Sequence, residues 1–193
     1  MRSQGWRGAN PGLKLANAFG VIKEENLFVM NDEGKMSDEA CESCGEVVSE
    51  GTAGCVKLFE AILAREFSDY RYGKIHRLTV DSYALQHPDA YMRSGKSFAA
   101  HLTGMCAAQE REDIFSVNQI VQRWLSTNPQ IDKPAHLPEQ RGSLTISYIL
   151  NAEDAEEHIK RVREWAQNTW AAWSEHHDLA RRLITEATAH SKK

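Results

Sequence analysis

The residues of this chain best equipped for chemistry are four cysteines and eight histidines. Cys41 and Cys44 are separated by two residues, Cys55 follows further on, and Cys106 stands by itself. Two sulfurs at Cys-x2-Cys spacing turn inward from one short loop and can grip a single ion. A metal knuckle is therefore the favoured reading. A redox pair competes with it, but such pairs sit where a strand opens a helix, and here the flanks are acidic and loop-like. A disulfide belongs with that redox reading, and inert thiols are the third.

A fourth ligand can come from an imidazole brought in by another element. His76 and His87 fall on one face of a helix but roughly 16 Å apart along its axis, so they cannot bind the same ion. His87 ends the second helix. In an up-down bundle that end lies beside the start of the first, which carries Cys55. Cys41, Cys44, Cys55 and His87 together make Cys3His, a closed tetrahedral zinc set. The rival account of His87 is a helix cap donating to the last carbonyls. His101, two turns into the third helix, falls level with Asp81. It replaces His87 if the knuckle folds deeper; otherwise it pairs with Asp81, as an oriented ligand, an acid–base pair or a plain interior hydrogen bond.

Other polar candidates have simpler readings. His76 is assigned a helix-start or interhelical hydrogen bond, with Asp69 near in sequence. Gln86 is assigned to backbone partners at the same end. His176 and His177 point about 100° apart, so only one faces inward beside Trp173. Glu60 and Glu66 raise a di-iron site, which is rejected because the chain has no Glu-x-x-His pair. Cys106, Trp165 and Trp173 read as core, and Trp6, Trp170 and Tyr148 as possible exposed anchors. No nucleophile elbow, phosphate loop, HExxH or dinucleotide fingerprint is present.

Helices must position these groups. Val56, Phe59, Ile62, Leu63 and Phe67 recur at helical spacing and predict a helix over about 53–68. A second helix runs from Ile75 to His87, where Pro88 stops it. A third opens at Ser94-Gly95-Lys96 and runs to about Glu112. A fourth, capped by Ser116, carries Ile120, Val121, Trp124 and Leu125. Pro129, Pro134 and Pro138 mark residues 126–142 as a long ordered loop. Leu144 to Leu150 suits either a strand or a short helix. One long final helix is expected after an Asn151 cap, with Ile159, Val162, Trp165, Thr169, Trp173, Leu183 and Ile184 on its apolar face. The fold class is all-α, a bundle of four to five helices with an N-terminal Cys knuckle. Residues 1–40 form an irregular extension in which Val21-Ile22 and Leu27–Met30 make at most a small hairpin, and 41–190 the helical metal-binding domain. Met36 is a plausible natural start.

The chain has 193 residues, 41% of them hydrophobic and 26% charged, with a net charge of -4, an ordinary globular mix. Seven acids against one base in residues 31–50 repel phosphate and exclude a nucleic-acid knuckle. No apolar run approaches the ~18 residues of a membrane span, and Met1 to Arg7 lack an apolar signal core, so a soluble cytoplasmic protein is expected.

The strings "CESCG", "GCVKLFEAILAREFSD", "HRLTVDSYALQHPDAY", "SFAAHL" and "REWAQNTWAAWSEHHDLARRLI" occur in the order and spacing of an uncharacterised bacterial family. The chain resembles domain-of-unknown-function family 5946 over about 41–185. The His76-to-Pro88 string is the most specific part and the double-Trp helix the second. Cys41-Glu42-Ser43-Cys44-Gly45 departs from the expected Cys-Pro-x-Cys-Gly by its missing proline. The resemblance implies a domain boundary near residue 40 and supplies no activity for the chain. Two functions follow from the residues: a zinc-containing helical module that binds a protein or small molecule, or a metal-dependent enzyme with Asp81 and His101 as its acid–base pair. A metal-free helical protein is the third.

Overall fold

A computed structural model describes residues 38–191. The expected hairpin at 21–30, and Trp6, lie outside them. Two short strands, β1 (Asp38–Ala40) and β2 (Val47–Ser49), pair antiparallel with Glu39 opposite Val48. The loop between them is the Cys-x2-Cys segment. Its turn closes through Gly45 N–H to Cys41 C=O at 2.8 Å and Cys41 N–H to Glu46 C=O at 2.7 Å. Gly45 has φ of 78°, a left-handed conformation that glycine takes without penalty.

All else that is regular is helical: α1 (Gly51–Ser68), α2 (Tyr70–Gly73), α3 (His76–Gln86), α4 (Pro88–Tyr91), α5 (Gly95–Glu110), α6 (Ile114–Ser126), α7 (Ser147–Leu150), α8 (Ala155–Ala172) and, after a 3-10 turn at Ser174–His176, α9 (His177–His190). Among the described residues the fold is all-α apart from the hairpin. Helix α3 is the central rod, packed against α5 and α8, while α6 and α9 close the far side of α5. Eight of its eleven residues are buried, among them Thr79, Asp81, Ser82 and Gln86. A polar helix tolerates this only because its buried groups find partners. Its Leu85 joins Phe98, Leu102, Met105, Trp165 and Trp173 in one buried core cluster.

Several element ends differ from expectation. Asp113, not Ser116, caps α6, accepting from the Ser116 N–H at 3.1 Å. Asp154, not Asn151, caps α8, accepting from the Glu157 N–H at 2.8 Å. Residues 147–150 form a helical turn rather than a strand. The single final helix is two, α8 and α9. The break redirects the apolar stripe from α3, where α8 packs, to α5 and α6, where α9 packs, and neither proline nor glycine marks it. On α1 the inward row is Cys55, Phe59, Ile62 and Glu66, whereas Phe67 is 74% exposed. Trp170 is buried, its ring stacked on His177 at 3.8 Å, and is no exposed anchor.

Candidate metal centre

The hairpin lies on the first turn of α1. A Cβ on Gly54 would stand 1.9 Å from the Ser49 carbonyl oxygen, so only glycine admits this approach. It brings the knuckle sulfurs to Cys55, the next residue. His87 arrives from the other side because Pro88 ends α3 there and starts α4 as its first residue.

The ligand atoms of Cys41, Cys44, Cys55 and His87 all lie within 4.8 Å of one another. His87 Nε2 is 3.5 Å from Cys41 Sγ and 3.4 Å from Cys55 Sγ, and Cys44 Sγ is 3.8 Å from Cys55 Sγ. A tetrahedral ion with metal–sulfur bonds of ~2.3 Å and a metal–nitrogen bond of ~2.05 Å would space its ligands at about 3.8 Å (S to S) and about 3.6 Å (S to N). The observed spacings fit, and the cluster could hold a metal ion.

The surroundings orient the imidazole. His87 Nδ1–H donates to the Tyr83 carbonyl at 2.8 Å, which leaves the Nε2 lone pair facing the sulfurs. The His87 ring stacks on Tyr83 at 3.8 Å, and Tyr83 stacks on Phe59, also at 3.8 Å. Phe59 sits one turn beyond Cys55 on α1, so a single helix face supplies both a sulfur and the base of the aromatic stack. The Tyr83 hydroxyl is 3.6 Å from Cys55 Sγ. Cys41, Cys55 and His87 are buried and Cys44 half-buried. The contact between Cys44 and Cys55 draws the Cys44 thiol down to about 4 and pushes Cys55 up, with burial opposing the first shift and adding to the second. Cys106 lies apart from them, and burial raises its thiol to about 11.

The other candidates stand elsewhere. His101 is not beside the cysteines: its Nδ1 is 2.9 Å from Asp81 Oδ1, and Arg77 Nε donates to Asp81 Oδ2 at 2.7 Å. This is a staple between α3 and α5, with the buried carboxylate held by two partners. A surface hollow of about 930 Å³, lined by Arg71, Lys74, Lys160 and Arg163 among others, touches neither this pair nor the cysteines. Gln86 does bind backbone: its Nε2 donates to the Leu144 and Arg141 carbonyls at 2.8 and 3.1 Å, and its Oε1 accepts from Trp165 Nε1 at 3.0 Å.

One polar cluster escaped the reading of the sequence. The buried Glu66 carboxylate accepts from Thr79 Oγ1 at 2.5 Å and bonds His76 Nδ1 at 2.8 Å and His158 Nε2 at 2.9 Å. His76 therefore pairs with Glu66; Asp69 binds Arg71 instead. Burial drives the Glu66 carboxyl up, but the hydrogen bonds from His158, His76 and Thr79 outweigh it and hold it below its ordinary value. The missed signal was spacing: Glu66 continues the Cys55–Phe59–Ile62 row, and His158 continues the Val162–Trp165–Thr169 row.

The profile of a family of unknown function, DUF5946, matches residues 39–174. No curated protein and no solved structure matches the chain. No helix among the described residues is long and apolar enough to cross a membrane.

Proposed function

We propose, for a chain that belongs to the family of unknown function DUF5946, that Cys41, Cys44, Cys55 and His87 bind zinc as a structural ion, and that the helical domain at about 41–190 is a binding or adaptor module. The observation that supports this reading is the gathering of four ligand atoms within 4.8 Å of one another, with three of their separations close to those a tetrahedral ion would set. Four protein ligands leave no position for a substrate or an activated water, which disfavours the rival reading of a metal-dependent enzyme using Asp81 and His101. Zinc suits the soft three-sulfur donor set better than magnesium or calcium, which take oxygen. A thiolate site of this kind needs reducing surroundings, which favours the cytoplasm. The partner in this reading is a protein or small molecule rather than nucleic acid, since the acids around the knuckle repel phosphate.

Bound metal would add a further link between a hairpin, a helix start and a helix end already packed through Gly54 and the Phe59–Tyr83–His87 stack, so its binding energy adds to folding energy. The test is elemental analysis of freshly purified protein that has met no chelator. About one equivalent of zinc per chain is expected. Cys44→Ser should lower both metal content and melting temperature. Protein that folds and carries no metal under those conditions would remove the proposal.

A further inference from the structure

The long segment between α6 and α7 returns to the candidate metal centre through one side chain. Arg141 Nη1 donates to the Ser43 carbonyl at 2.9 Å and to the Gln86 carbonyl at 3.3 Å, while its Nε donates to Pro138 in its own loop at 3.1 Å. Ser43 lies between the two knuckle cysteines, and Gln86 immediately precedes His87. One guanidinium therefore grips the chain beside ligands from both sides of the cluster. Gln86 returns the contact through its bonds to the Arg141 and Leu144 carbonyls. Thr145 bonds Glu46, just past the knuckle. Further from the cluster, Asn168 Oδ1 accepts from the Ser143 and Leu144 N–H groups at 2.7 and 3.0 Å.

We infer that Arg141 is a positioning residue for the metal centre and that docking of residues 138–145 depends on bound metal. The inference rests on the zinc reading above. A knuckle and a helix end drawn onto one ion present the Ser43 and Gln86 carbonyls at a fixed separation, which a rigid guanidinium fork can bridge. Without the ion that separation rests on the packing of the hairpin on α1 and of Phe59 on Tyr83 alone, and the bridge is held less firmly. Linkage makes the effect reciprocal: whatever the metal adds to loop docking, the docked loop adds to metal affinity. The loop thereby becomes a surface whose order reports zinc, giving the module a metal-controlled face.

The full chain serves for the test. Zinc affinity is measured by competition with a chromophoric chelator in the parent and in Arg141→Gln, and amide exchange is followed with zinc bound and after chelation. Arg141→Gln is expected to weaken zinc about 10-fold, the scale for outer partners of a metal ligand. In the parent, chelation is expected to speed exchange at 138–145 more than in α5 and α9, and in Arg141→Gln zinc should no longer protect the loop selectively. A purely structural arginine would not alter how the loop responds to zinc. Affinity within about 2-fold of the parent overturns the inference while leaving the zinc site standing. So does loop exchange that ignores zinc, or that rises no more than in α5 and α9. A parent that binds no zinc defeats the underlying reading itself.

Discussion

Replacing Gln86 by leucine tests how a polar residue earns its place in the centre of this fold. The side chains are similar in size, so little cavity is created and the loss is polar. Three partners are left behind: the Trp165 indole N–H and the carbonyls of Arg141 and Leu144. Trp165 is fully buried, so its N–H has no water to turn to and should cost about 1–3 kcal/mol. The two loop carbonyls are half-buried and can be partly hydrated, at about 0.5–1.5 kcal/mol each. Together these give a destabilisation of about 4 kcal/mol, or a melting temperature lower by about 8–16 °C for a domain of this size. Urea unfolding of both proteins with zinc in excess, followed by tryptophan fluorescence and by circular dichroism, measures it. A loss under about 1 kcal/mol would refute the reasoning, because it would mean that the buried indole and the loop find other partners at no cost.

Gly104→Ala should destabilise by about 1–3 kcal/mol in the same assay. The added Cβ would stand 2.2 Å from Asp81 Oδ2 and 2.5 Å from Arg77 Nη2, and Asp81 is pinned by both Arg77 and His101; an unchanged midpoint would show that the staple yields freely. The Glu66 carboxyl is held below its ordinary value of 4.5 in the folded chain. Its contribution is therefore complete above that value and is lost as pH falls through it towards the folded pKa. Glu66→Gln should lie about 1–3 kcal/mol below the parent at pH 7, with the gap narrowing below about pH 4.5; a gap that stays constant down to pH 3 would show that the charge contributes nothing.

Much of this protein is legible in the sequence. The 3.6-residue periodicity places α1, α5 and α6 to within a few residues, because each buries a stripe against the rest of the bundle. Pro88 ends α3 by covalent geometry alone, wherever that helix sits. Counting turns separates His76 from His87, and bundle topology then carries His87 towards Cys55. Phe67 shows the limit of such counting. Glu66 and Phe67 are adjacent, and hydropathy alone turns the wrong one inward. Glu66 is buried because Thr79 and two imidazoles meet its carboxylate, and those partners lie 10, 13 and 92 residues away.

The spacing of the cysteines and the helix stops are local matters, settled by bond geometry and by the few residues on either side. The partner of His101, the pairing of Glu66 with His158, the break between α8 and α9, and the reach of Arg141 to Ser43 across 98 residues belong to tertiary packing. Periodicity can turn each of two distant residues inward but does not pair them, since the stabilisation of their hydrogen bond comes from burial that only the assembled bundle provides. Local chemistry therefore determines which groups can bind a metal, and the packing of α1 against the hairpin and α3 determines that they meet.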